Sequence, residues 1–144
     1  MKWIETLLQL RKDSADSIEK ELVQAQAVLN SEQSILWQLK KEFDSIVLPK
    51  QSTGMVMQQI TLQRNYHAKS LQMQMEKVQR IGKKVKILQE SLLEANKEYE
   101  QAKYIKADYV KKQMQAQKKQ EQKRIDELAS QRFYLEHHEG RYNV

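Results

Sequence analysis

The sequence predicts an all-α fold: a long two-helix antiparallel coiled-coil hairpin with helix 2 overhanging helix 1. Three observations carry this. Apolar residues recur at alternating spacings of four and three, the a/d pattern of a helix supercoiled against a partner. The pattern breaks once, at Leu48-Pro49-Lys50-Gln51-Ser52-Thr53-Gly54. The 144 residues contain only three Gly and one Pro, too little punctuation for a fold of many elements. No strand-like run of alternating β-branched residues occurs.

Helix 1 is predicted over residues 2–47, about 70 Å at 1.5 Å per residue. One row of its seam is Leu8, Ala15, Leu22, Leu29, Leu36 and Phe43, seven residues apart. The second row is Ile4, Ile18, Ala25, Leu39 and Ile46, with Arg11 and Glu32 as polar members. The turn is predicted at 48–54. Pro49 disfavours helical geometry at Leu48, and Ser52, Thr53 and Gly54 supply turn chemistry. Ser52 or Thr53 can cap the next helix.

Helix 2 is predicted over 55–136, about 120 Å long, followed by a tail at 137–144. Its seam reads Leu71, Val78, Ile81, Val85, Leu88, Leu92, Ala95, Tyr99, Ala102, Tyr109 and Ala116. Gly82 falls inside the helix but off the seam, at a cost of ~1 kcal/mol relative to Ala. The whole chain is expected to form one coiled-coil domain.

A short connection makes the helices antiparallel. Folding the chain about residue 52 sets Trp3 opposite Gln101 and leaves about 35 residues of helix 2 beyond helix 1. There the heptad fails: Gln117 to Arg124 contains no apolar residue. A shifted apolar register returns at Ile125, Leu128, Ala129, Phe133 and Leu135. Such a shift suggests a partner other than helix 1; the plain alternative is a fraying helix end.

Charge is uneven. The net +6 resides on helix 2: residues 1–47 and 125–144 each carry −2, while 48–99 and 100–124 each carry +5. The basic band is densest at Lys103, Lys106, Lys111, Lys112, Lys118, Lys119, Lys123 and Arg124. It suits a ring of carboxylates or a phosphate backbone, or it is a solvated helix face.

Enzymatic chemistry is not expected. Two paired helices bury a narrow stripe and leave little room for a water-excluding cleft. There is no phosphate-binding Gly-rich loop and no nucleophile–base spacing. Glu94 and Glu98 are i, i+4 neighbours beside Lys97 and read as surface charges. With no Cys, thiolate metal sites, disulfides and thiol catalysis are excluded. His137 and His138, flanked by Glu136 and Glu139, point about 100° apart on a helix and do not face one ion. His67 stands alone near the turn. No cofactor and no metal are expected.

The N-terminal stretch carries Glu5 and runs into Arg11, Lys12 and Asp13, unlike a signal peptide. No window approaches 18 apolar residues, so no span is expected and the simple location is cytoplasmic. Aromatics such as Trp3, Trp37, Tyr66 and Tyr104, interleaved with Lys, could stack on bases. Tyr99 and Tyr109 sit on the seam, which favours packing. Around the turn, Met55, Val56, Met57, Ile60, Leu62, Tyr66, Leu71, Met73 and Met75 exceed what two seam rows can bury. Adaptable Met side chains suit a docking surface.

The run Lys118-Lys119-Gln120-Glu121-Gln122-Lys123-Arg124-Ile125-Asp126-Glu127-Leu128-Ala129 resembles the end of the FliJ family, small coiled-coil proteins of the flagellar type III export apparatus. That family finishes helix 2 with a basic, Gln-rich stretch and an apolar-Asp-Glu-apolar step. The opening Leu7-Leu8-Gln9-Leu10-Arg11-Lys12, the Ala-rich middle of helix 1 and the length also match. Gly54 is followed twelve residues later by the aromatic Tyr66 and then by Leu71, five residues on where the family usually has four. The YscO family of injectisome stalks shares the architecture and is the alternative, as is a basic coiled coil that binds nucleic acid.

The resemblance implies a non-enzymatic stalk, similar to the rotary-ATPase γ subunit. Both chain ends would enter the central pore of the hexameric flagellar export ATPase. It also implies contact with the cytoplasmic ring of the export gate and escort of empty export chaperones. Leu8, Arg11, Lys123, Arg124, Asp126, Glu127 and Leu128 would then meet the ATPase, and Tyr66, Leu71 and Met75 the gate. The protein would be monomeric alone, peripheral at the inner membrane face of the apparatus, and without a nucleic-acid partner.

Overall fold

The computed structural model describes the backbone of residues 2–51 and 53–142 and the side chains of those residues up to 137. It contains two helices, α1 (Lys2–Asp44, 43 residues) and α2 (Gly54–Tyr142, 89 residues), and no strand among the described residues. The fold class is therefore the one expected. Two compact units divide the chain: Gln9–Tyr99, and Met1–Leu8 with Glu100–Val144.

In the Gln9–Tyr99 unit, α1 and α2 run antiparallel. Arg11 Nη1 meets Glu98 Oε2 at 2.8 Å. Glu32 meets Gln74 at 2.6 Å and Lys77 at 3.1 Å. These pairs are symmetric about residues 53–55, not about residue 52 as the sequence suggested. The connection explains the shift, because α1 ends at Asp44 rather than near residue 47. Ser45 N–H donates to the Lys41 carbonyl at 3.0 Å, and Ile46 N–H to the Phe43 carbonyl at 3.1 Å, a tightening last turn. The Ser45 hydroxyl donates to the Glu42 carbonyl at 2.6 Å. Pro49 prevents helical continuation further on, and β-branched Ile46 and Val47 do not favour it.

α2 opens on a side-chain cap. Val56 N–H donates to Thr53 Oγ1 at 3.4 Å, and Met57 N–H to the Thr53 carbonyl at 3.1 Å. Ser52, the other expected cap, lies outside the described residues. α2 reaches Tyr142, past the expected limit at 136, since no proline follows Pro49.

The seam of α1 is the predicted one: Ala15 is buried, and Ile18, Leu22, Ala25, Leu29, Glu32, Leu36, Leu39 and Phe43 are half-buried. On α2, buried or half-buried positions alternate by four and three through 67, 71, 74, 78, 81, 85, 88, 92, 95 and 99, with Ile60 before them and half-buried Ser70, Gly82, Ser91 and Glu98 beside them. That strict four–three alternation includes two polar members, His67 and Gln74, that apolar counting misses. Gly82, expected off the seam, is half-buried beside Ile81.

In the other unit, Ile4 at 1% and Ala102 at 3% relative exposure are the most enclosed side chains. Past Val110 burial stops: every residue from Lys111 to His137 is exposed. Ala116, expected on the seam, is among them. The segment stays helical through its own composition, rich in Gln, Lys, Glu and Ala, and through i, i+4 pairs. Gln113 Nε2 donates to Tyr109 Oη at 3.2 Å, Lys112 pairs with Asp108 at 3.2 Å, and Gln122 Nε2 donates to Asp126 Oδ1 at 3.1 Å.

Candidate partner-binding surfaces

The exposed end of α2 carries five expected contact residues. Lys123, Arg124, Asp126, Glu127 and Leu128 are all exposed, with Leu128 at 59% and its neighbour Ile125 at 58%. At about 100° per residue, Ile125 and Leu128 lie about 60° apart on one side, while Glu127 turns away. Further on, the Phe133 and His137 rings stack at 4.5 Å. The side chains of His138 and Glu139 lie outside the described residues. Among the described residues, no three His, Cys, Asp or Glu side chains gather where they could hold a metal ion.

Leu8 is half-buried and forms part of an open groove of about 710 Å³ along α2. Ala107, Val110 and Met114 share its floor. They follow at i, i+3 and i+7, a stripe offset from the seam positions 102 and 109. That spacing is the groove's signal in the sequence, and the basic band around it masks the stripe. Leu8 does not share the groove with Leu128, which lies ten residues past the groove's last lining residue, Lys118, about 15 Å along α2.

Arg11 belongs to the Gln9–Tyr99 unit, and its guanidinium is engaged by Glu98. It remains 44% exposed.

Near the turn, the three residues expected to meet the gate are not one patch. Tyr66 is 69% exposed and meets the His67 ring edge-on at 5.7 Å. Leu71 is half-buried on the seam. Met75 is 45% exposed, but nine residues from Tyr66 it faces about 180° away. The residues that do share Tyr66's side are Met55, Leu62 and Met73, spaced seven, four and seven along α2 and between 64% and 76% exposed. Two other rings are covered by cations: Lys41 Nζ stands 4.0 Å from the Trp37 centroid, and the Arg64 guanidinium 5.4 Å from that of Phe43.

One electrostatic site lies on the seam. The Glu32 carboxyl is held below its ordinary value, first by the Gln74 amide and then by the Lys77 ammonium; partial burial acts in the opposite direction. With its partners inside the chain, it works as a polar layer of the coiled coil.

These features define a class: a helical-hairpin interaction protein whose contact surfaces are exposed stripes along helices. A family model described as Flagellar FliJ protein matches residues 1–137, and the chain belongs to the FliJ family. It is accordingly a component of the flagellar protein export apparatus, and the family is not one of known enzymes. No curated protein and no solved structure matches the chain. Among the described residues no helix is long and apolar enough to cross a membrane.

Proposed function

We propose that this chain is the central stalk of the flagellar export apparatus, docking into its hexameric ATPase and coupling it to the export gate. The observation that carries this reading is the segment 111–137: a helix exposed on every side, with a basic lead-in and the Ile125-Asp126-Glu127-Leu128 step. A helix that buries nothing within its own chain offers its whole circumference to a surrounding partner, as a shaft in a pore requires. Lys123, Arg124, Asp126, Glu127 and Leu128 supply the contacts there, with Leu8 and Arg11 contributing from α1. The exposed Met55–Leu62–Tyr66–Met73 stripe is the surface for the gate's cytoplasmic ring, with Met75 on a second face. Escort of empty export chaperones and a cytoplasmic position at the inner membrane face belong to the same reading.

The test is co-purification with the cognate export ATPase, together with its hydrolysis rate and hexamer content. The full chain binds and raises both, and truncation after Arg124 abolishes the effect. An unchanged rate with the full chain, or undiminished binding by the truncated one, overturns the proposal.

A further inference from the structure

The groove beside Leu8 has a composition of its own. Its apolar floor, Ala107, Val110 and Met114, lies within about 60° of arc on α2. Lys106 and Lys111 stand on opposite sides of that floor, and Lys103 and Lys118 mark its two ends. Met114 is 58% exposed, so the floor is open to a partner. The ends are fifteen residues apart, about 22 Å or four helical turns.

We infer that this groove is a docking site for an acidic amphipathic helix of about four turns, supplied by a partner protein. The chemistry selects the occupant. A helix laid along α2 presents an apolar stripe every three to four residues, which matches the floor. Carboxylates on both sides of that stripe meet Lys106 and Lys111, and carboxylates at its ends meet Lys103 and Lys118. Lys103 is already bridged to Glu100 at 3.3 Å, and that link is exposed and readily exchanged. A basic helix is repelled by the same four cations, and a wholly polar one leaves the floor wet. Phosphate alone gains the charge but none of the apolar contact. The basic band thereby acquires a direction, because it selects a helix with acidic flanks rather than any polyanion.

This inference concerns 103–118 and Leu8, whereas the ATPase reading rests mainly on 111–137. Its test needs no ATPase, so the two can fail separately. The probe is a fluorescein-labelled 18-residue helix with Leu at a and d and Glu at e and g, titrated with the full chain in 0.15 M salt. A second peptide carries Lys in place of Glu.

The expected result is saturable anisotropy with the acidic peptide and at least tenfold weaker binding of the basic one. Lys106→Glu with Lys111→Glu, and separately Val110→Gln with Met114→Gln, each weaken binding at least tenfold. Lys83→Glu, in the Gln9–Tyr99 unit, leaves it unchanged. Circular dichroism shows that each variant keeps its helicity. Equal binding of the two peptides, or indifference to both double variants, overturns the inference. So does a doubled mass by light scattering without peptide that reverts to monomer in Val110→Gln with Met114→Gln, since a second copy then covers the groove.

Discussion

Gln74 reaches across the seam and donates from Nε2 to two acceptors of Glu32: its carboxylate at 2.6 Å and its backbone carbonyl at 3.0 Å. Lys77, one turn further along α2, meets the other carboxylate oxygen at 3.1 Å. This polar layer sits between Leu29 and Leu36 on α1 and between Leu71 and Val78 on α2. A polar layer in an apolar seam fixes which residues face each other, because any slip leaves a charged group among aliphatic side chains.

Replacement of Gln74 by Leu is therefore expected to lower the melting temperature, since Glu32 loses its main partner on a half-buried face. Glu32→Leu together with Gln74→Leu restores or exceeds the wild-type value, because a polar pair withdrawn from water and exchanged for matched apolar groups is often neutral or better. A thermal double-mutant cycle measures the coupling. Additive changes would show that the two side chains act independently.

The Glu32 carboxyl also predicts a pH dependence. Its value in the fold lies below the ordinary 4.5. The stabilisation from its charged form is thus fully present above that ordinary value and is lost as pH falls through the depressed one. Urea midpoints measured from pH 6 downward should decline more for wild type than for Glu32→Gln. Carboxyl NMR should place the Glu32 midpoint below the ordinary value.

Gly82→Ala is expected to stabilise the chain by about 1 kcal/mol, the helix-propensity difference between the two residues. The position is inside α2, and a Cβ placed there meets nothing within 4 Å. A rise in the urea midpoint at constant slope checks it.

Arg11→Ala should cost less than about 1 kcal/mol, because its pair with Glu98 is 44% and 41% exposed on the two sides. A loss of ATPase binding in this variant then reports on the partner rather than on the hairpin. Chemical denaturation alongside the binding assay separates the two.

Truncation after Arg124 should leave the thermal transition of the remaining chain unchanged. From Lys111 to His137 no side chain is buried, so the segment contributes little apolar burial to the rest. Hydrogen exchange in the full chain should show weak protection past Val110 and strong protection around Val85 and Ala95. Equal protection in both regions would contradict this picture.

The sequence by itself determined the two helices, their antiparallel pairing and nearly every seam position, because a four–three repeat with one Pro-containing break admits few other solutions. Leu22, Leu29, Leu36, Val85 and Leu92 could be assigned by counting alone. Thr53 as a cap was equally legible from its chemistry. Tertiary structure decided what counting cannot see. His67 and Gln74 join the seam as polar residues, and Gln74 is recognised as such only once Glu32 is found opposite it. The register moves to residues 53–55 because hydrogen bonds at Ser45 and Ile46 close α1 early. Ala116 keeps heptad spacing yet stays exposed, because periodicity states which face a residue occupies and not whether another helix covers it. The same distinction separates Leu71, held in the seam, from Tyr66, left to solvent and to a partner.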